Sequence, residues 1–340
     1  MRTANNPQDP LLYDTEMPLV KMFHPLGLTL KISTNAPEIL DAAEESWGMF
    51  EERLQLPLLE MRLGVLDVKW RARFRPPFIT GQRGITTQVV DERNFVTTNC
   101  DAGFSYGWVT KAVAADRAFL RYYFIEGGLW AMATPRYLTP IHAACVNYRG
   151  SGVLLCGDSG AGKSTLAYAC ARRGWSFMTD DGSNLVRDHI GNTVIGNPFQ
   201  IRLRPPAKDL FPELSGLPVG RRLTGKLSIE LATSKRSDIQ KITESAADFI
   251  VFLNRRQGPA ELAPYSEETA LKWFERSICY ASHEIRAAQR ASLRRLLGAN
   301  VFELRYSELD DAINRLESMI CDSDRRPDVA AMAAETELNV

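Results

Sequence analysis

The 340-residue chain has no excess of charge: Lys plus Arg number 41 and Asp plus Glu 41. That balance removes the global electrostatic argument for nucleic acid or an acidic membrane surface as partner. No apolar run approaches the roughly 18 residues needed to span a bilayer. The opening Met1-Arg2-Thr3-Ala4-Asn5-Asn6-Pro7 is polar and lacks a signal-peptide core. The expectation is a cytoplasmic protein with no membrane partner. Cys100, Cys145, Cys156, Cys170, Cys279 and Cys321 include no C-x-x-C pair. They read as reduced thiols, several in apolar stretches where Cys acts as a small buried hydrophobe. There is no internal repeat and no Asn-Lys-x-Asp guanine-reading motif.

What is present is an ordinary globular composition, 45% hydrophobic and 24% charged, long enough for two domains of unequal size. The most informative stretch is Gly157-Asp158-Ser159-Gly160-Ala161-Gly162-Lys163-Ser164-Thr165, which fits the phosphate-cradling pattern G-x-x-x-x-G-K-[ST]. Val153 to Cys156 leads in as a short buried strand, and Leu166 to Arg173 leads out as an Ala-rich helix closed by Gly174. Glycines let the backbone wrap so that successive N–H groups point at phosphate oxygens. The helix beginning near Lys163 adds its positive end. Lys163 is placed to reach the β- and γ-phosphates, and the Ser164 hydroxyl to ligate Mg²⁺. The loop is read as a nucleotide-binding site.

The chain before this loop reads as a small α/β domain. Period-two alternation predicts a strand over 26–32, Pro37 opens a helix running to about Arg53, and a second strand follows over 58–66. A hairpin is expected at 86–90 and 95–98, and a buried aromatic helix over 118–133, interrupted near Gly127-Gly128. Arg71, Arg73, Arg75 and Arg83 read as a basic surface loop or a partner-binding face. A hairpin over 139–146 and 153–156 feeds the glycine loop. Later strands are expected at 175–179, 199–204, 247–253 and 301–305, with a hairpin around Ile190-Gly191-Asn192. Helices are expected at 266–280, 283–297 and 307–319. The Pro-containing stretch 205–225 reads as a long functional loop, and the tail after Asp322 as disordered. The expected organisation is an N-terminal domain over 1–137, a nucleotide-binding domain over 138–322 and a tail over 323–340.

Two acids discriminate among the activities a phosphate loop can serve. Asp180 and Asp181 end the 175–179 strand, where α/β sheets place their ligands. One carboxylate near Ser164, read as Asp180, can hold Mg²⁺, and the other can accept a proton from a hydroxyl nucleophile. Adjacent residues alternate sides on extended backbone, so both serve only if the chain turns, and Gly182 allows that. The alternative is one metal acid with a solvated neighbour. His142, just ahead of the lead-in strand, is either a satisfied core residue or a proton-transfer partner brought beside the loop.

Taken together, His142-Ala143-Ala144, the loop Gly157 to Ser164 and the doublet Asp180-Asp181 resemble the C-terminal domain of the HPr kinase/phosphorylase family. The likeness covers roughly residues 138–320, and nothing specific is recognised in 1–137. The resemblance implies an α/β nucleotide-binding domain of that type, a mixed sheet flanked by helices. It also implies ATP and Mg²⁺ as ligands, phosphorylation of a serine on a protein, and a homo-oligomer. Carried over residue by residue, it puts His142, Asp180 and Asp181 around the γ-phosphate and Lys163 and Ser164 beneath it. Thr165 stands where the family usually has an acid, and Asn197 to Arg204 stands in place of its Glu-x-Arg-Gly-x-Gly signature. The likeness is thus to relatives that act on other serines or peptides.

Three readings follow. The first is an ATP-dependent kinase acting on a hydroxyl of a protein, peptide or small molecule, with Asp180 or Asp181 as base and His142 as its partner. Arg202, Arg204, Lys226 or Arg255 would then stabilise the transferring charge. The second is a nucleotide-binding regulator without transfer, and the third a simple NTP hydrolase.

Overall fold

A computed structural model describes residues 16–70, 74–187, 191–278 and 282–324. The chain divides into two compact units, Met1–Leu138 with Cys279–Ala288, and Thr139–Ile278 with Gln289–Val340. Both mix α and β structure.

The first unit is built on strands β1 (Leu19–Phe23), β2 (Leu30–Thr34), β3 (Leu59–Leu66), β4 (Phe78–Gln82), β5 (Ile85–Asp91), β6 (Asn94–Asn99) and β7 (Phe104–Thr110). They form one mixed sheet in the order β1-β2-β3-β7-β6-β5-β4, with β2, β3 and β7 parallel. Helix α1 (Pro37–Trp47) makes the β2–β3 crossover. Strands β1, β4 and β7 have no counterpart in the sequence reading, and three expected elements differ from the structure in extent or continuity. The strand expected from residue 26 starts later, because Pro25–Gly27 is a tight turn with Leu26 at φ 54° and Gly27 at φ 85°. Helix α1 stops six residues short of Arg53, since Gly48 follows Trp47 and glycine is a poor helix former. The aromatic helix is not broken at Gly127-Gly128. It passes through a π-helical stretch, Leu120–Glu126, straight into α2 (Gly127–Arg136). A Cβ on Gly128 would lie 2.7 Å from the Met61 methyl, so this glycine allows close packing of helix on strand β3.

The second unit contains β8 (Leu138–Ile141), β9 (Ala144–Tyr148), β10 (Ser151–Cys156), α3 (Lys163–Arg172), β11 (Ser176–Thr179), β12 (Ser183–Val186) and β13 (Thr193–Ile195). It continues through β14 (Gln200–Leu203), β15 (Val219–Arg221), β16 (Leu227–Ala232), β17 (Glu244–Ala246), β18 (Phe249–Arg255) and β19 (Glu261–Pro264). Helices α4 (Glu267–Phe274) and α5 (His283–Leu296), strand β20 (Asn300–Tyr306) and helix α6 (Leu309–Asp324) complete the described chain. Residues 283–288 of α5 group with the first unit. Ile190, in the turn expected between β12 and β13, lies outside the described residues, as do Cys279 and the tail from residue 325.

The central sheet runs β11-β9-β10-β18-β20-β19, with β10, β18 and β20 parallel. Its lead-in strand is apolar without alternation because both faces are covered. Val153 and Leu155 pack with Leu166, Ala167 and Cys170 of α3, while Leu154 and Cys156 pack with Ala270, Phe274, Leu293 and Leu296. The β9–β10 hairpin closes over Arg149-Gly150, both at positive φ (53° and 91°), the backbone that a two-residue hairpin turn requires. Two smaller sheets complete the unit, β17-β13-β12-β8 and β14-β16-β15. The stretch expected as a loop, 205–225, thus contains an edge strand, β15, together with short helical turns at Ala207–Leu210 and Pro212–Leu214.

Candidate active site

Strand β10 ends at Cys156 and the chain turns through Gly157, Gly160 and Gly162, all at positive φ (140°, 100° and 100°), before α3 starts at Lys163. These are conformations that side-chain-bearing residues rarely adopt. A Cβ on Gly157 would sit 2.9 Å from the Ala161 Cβ, and one on Gly162 2.8 Å from the Tyr306 hydroxyl. The loop therefore has no room for side chains at two of its bends. Lys163 is buried, and its Nζ donates to the carbonyl of Gly157 at 2.8 Å. Burial holds that ammonium below its ordinary pKa, partly opposed by Asp181. The Ser164 hydroxyl donates to the Asp180 carbonyl at 3.2 Å and so ties the start of α3 to the end of β11.

Asp180 and Asp181 occupy different environments. Asp180 is 6% exposed, and its Oδ2 accepts from the Arg202 backbone N–H at 3.0 Å. Burial pushes its carboxyl up to about 6 despite that hydrogen bond. The Asp181 side chain is half exposed, with Oδ1 3.2 Å from His142 Nδ1. His142 lies between β8 and β9, and the neighbouring Ala143 carbonyl accepts from the Ser183 hydroxyl at 3.0 Å, anchoring this segment to β12. Burial pulls the imidazole below its usual pKa, with Asp181 pulling the other way. A neutral His142 then donates from Nδ1–H to Asp181 and leaves Nε2 as an acceptor.

These groups meet at a cavity of about 140 Å³. His142, Asp180 and Asp181 line it, as do Ser159, Gly160, Gly162, Lys163, Ser164 and Thr165. Gly157, Asp158 and Ala161 are not among its lining residues. Asp158 turns to the outside of the loop, where it accepts from Trp273 Nε1 at 3.2 Å and Arg276 Nη1 at 3.0 Å. The remaining walls come from the sheet of β14–β16: Arg202, Arg204, Arg222, Lys226 and Leu227. Arg204 Nη2 donates to Ser159 Oγ at 2.8 Å and so stands over the glycine loop. Arg255, considered with them from the sequence, is exposed and does not line the cavity. Sequence reasoning missed Arg222, Trp273 and Arg276. A basic pair around a turn glycine, Arg221-Arg222 and Lys226, was the one available signal.

The chemistry of these donors suits a polyanion. Five cationic side chains face two carboxylates, and the open start of α3 contributes N–H groups. The oxygen donors of Ser164, Asp180 and Asp181 are hard ligands that suit Mg²⁺ rather than a soft metal. Among the described residues no group of three or more His, Cys, Asp or Glu forms a self-sufficient metal site. A divalent ion here would complete its shell with water and phosphate oxygens, as Mg²⁺ usually does. The buried thiols of Cys145, Cys156 and Cys170 are pushed well above the usual range by burial, which makes them poor nucleophiles. No helix among the described residues is long and apolar enough to cross a membrane.

An α/β unit with a glycine loop, a paired acid and a histidine on one cavity has the makings of a phosphate-handling protein. Comparison with known proteins narrows this: part of the chain is related to the HPr kinase/phosphorylases. The HPr kinase/phosphorylase of Shouchella clausii is 35% identical over 80 residues, 24% of this chain and 24% of that protein. That of Halalkalibacterium halodurans is 40% identical over 58 residues, 17% and 18% of the two chains. HPr kinase/phosphorylase 1 of Oceanobacillus iheyensis is 35% identical over 79 residues, 23% of each chain. The matches thus span about a quarter or less of these relatives' length. No family model matches. A solved structure of the HPr(Ser) kinase/phosphatase of Coxiella burnetii aligns with 54% of this chain and 98% of its own, at 13% identity. Its TM-score of 0.28 is too low to carry an argument.

Proposed function

We propose that the protein is an ATP-dependent phosphotransferase acting on a hydroxyl of a protein, peptide or small molecule. The observation that supports this most is the meeting of Lys163, Ser164, Asp180, Asp181 and His142 on one cavity. In this reading Gly157 to Thr165 is a P-loop: its N–H groups and Lys163 hold the triphosphate. Ser164 and Asp180 would hold Mg²⁺, which neutralises developing charge on the phosphates. Lys163 would leave the Gly157 carbonyl for the β- and γ-phosphates. Asp181, half exposed, is the residue that can reach an incoming hydroxyl and accept its proton. The 3.2 Å contact from His142 Nδ1 orients that carboxylate. Arg204, fixed on Ser159, is positioned to stabilise charge on the transferring group. Residues 1–137 would select the partner. Transplanting them onto a related kinase domain should change its substrate choice, and an unchanged choice overturns that role.

The test is transfer of labelled γ-phosphate from ATP–Mg²⁺ in a lysate of the source cell, beside Lys163→Ala, Asp180→Asn and Asp181→Asn. A labelled species lost in all three variants supports the kinase. Tight ATP binding without transfer, unaltered in the Asp variants, would favour a nucleotide-binding regulator.

A further inference from the structure

The cations around the cavity fall into two groups with different neighbours. Lys163 and Arg204 belong to the glycine loop, through bonds to the Gly157 carbonyl and the Ser159 hydroxyl. Arg202 lies opposite Glu230 in the β14–β16 register and is 3.6 Å from its carboxylate. Arg222 and Lys226 differ from all of these. They flank the turn joining β15 to β16, with the Arg222 N–H donating to the Lys226 carbonyl at 2.9 Å. Among the described residues neither has an ion pair. Arg222 Nε donates to the buried Ser228 hydroxyl at 3.0 Å, which fixes the stem and leaves the terminal nitrogens to the cavity. Lys226 is exposed and lines the same cavity beside Leu227. Its charge, after that of Lys163, is also among those that oppose protonation of His142.

Resting on the phosphotransferase reading, we infer that the acceptor carries its hydroxyl beside a carboxylate, which Arg222 and Lys226 receive while the hydroxyl faces Asp181. Although Arg222 feels the charges of Asp180, Asp181 and Glu230, it and Lys226 line the same cavity as Asp181 and neither forms an ion pair among the described residues. A neighbouring carboxylate on the acceptor would form charge-assisted hydrogen bonds with them, whereas a neighbouring ammonium would be repelled. Two sources share this chemistry, a free hydroxy amino acid and a peptide serine flanked by Asp or Glu.

Binding is measured on the full chain with Mg²⁺ and a non-hydrolysable ATP analogue, so that the result does not depend on turnover. The probes are L-serine and two fluorescent peptides, one with serine between Asp and Glu and one with serine between Lys residues. The acidic peptide should bind at least about tenfold more tightly than the basic one. Lys226→Gln should weaken that preference, and Lys226→Glu, which sets a carboxylate beside Arg222, should abolish it. The Lys226 side chain is exposed and only its carbonyl holds the turn, so these variants keep the hairpin, which their melting temperatures would verify. Saturable L-serine binding lost in Lys226→Glu, with no peptide preference, assigns the carboxylate to a small acceptor. Equal affinity for the two peptides together with no L-serine binding overturns the inference, as does an equal loss for every probe in Lys226→Glu. Acidic selectivity without any labelled transfer would instead overturn the phosphotransferase reading and leave the anion site standing.

Discussion

The two walls of the cavity are built in opposite ways. The glycine-loop wall is one continuous segment, Gly157 to Thr165, with its strand before and helix behind. The facing wall is assembled from His142, the Asp180-Asp181 doublet, β14 and the β15–β16 turn, spread over more than eighty positions. In the phosphotransferase reading the first wall would bind phosphate by backbone geometry. The second depends on how distant segments come together, so in that reading it is the wall where a change of acceptor would leave nucleotide binding in place. The departure of residues 197–204 from the expected signature falls in that second wall.

The sharpest break in the comparison is Lys163→Ala, which removes the one buried cation of the loop wall. Removing a charge-assisted phosphate contact of this kind should lower transfer by more than about a hundredfold and weaken ATP binding as well, as titration with a fluorescent nucleotide would read. Asp181→Asn should cost transfer about a hundredfold or more with a much smaller loss of nucleotide affinity, because its carboxylate stands on the facing wall and touches the loop wall only through its charge on Lys163. Comparable losses of affinity in both variants would dissolve the distinction between the walls.

Asp180→Asn separates function from stability. The folded carboxyl is raised from 3.8 to about 6, so between those values the folded state holds more protons than the unfolded one. Stability without ligands therefore falls as pH rises from about 4 to about 6 and stays lower at pH 7. Asparagine keeps an oxygen for the Arg202 N–H and has no charge to bury. The variant should be about 2–3 kcal/mol more stable than wild type at pH 7 and should lose that advantage below pH 4. Denaturant unfolding across this range checks the sign, while phosphate transfer by the same variant should fall. Gly162→Ala is expected to have a comparable or smaller effect, a loss of about 1–3 kcal/mol, since its Cβ would crowd the Tyr306 hydroxyl at φ 100°. The smallest effect belongs to Arg276→Ala. It removes an exposed ion pair with Asp158 outside the cavity, and unfolding should shift by less than about 1 kcal/mol.

How much was legible in the sequence follows the same divide. The loop, its lead-in strand and its helix could be placed because glycine spacing and an unbroken apolar run are local signals. Residues 138–141 form β8 in a different sheet, but of the expected 139–146 and 153–156 hairpin the pairing of 144–146 was visible for that reason too. Strands β4 and β15 were not, because every residue in each is exposed. Without a buried face there is no period-two pattern to read. Arg222 was missed along with β15, whose end it follows. The π-helical stretch left no trace in composition, and of the two glycines read as a break, Gly128 instead admits Met61. That the two acids face one cavity follows from a turn after Thr179, which the neighbouring Gly182 allowed but did not require.

The β9–β10 hairpin has one more consequence. It joins His142 to the glycine loop through two adjacent strands and a two-residue turn, a closure spanning few residues. Such local contacts form early and reopen together, whereas the β14–β16 sheet must be recruited from far along the chain. In hydrogen–deuterium exchange, β9, β10 and α3 should therefore protect as one slow block, and β15 should exchange first. A molecule with that outer sheet opened would keep its glycine loop beside its histidine and lose the wall that the phosphotransferase reading assigns to the acceptor.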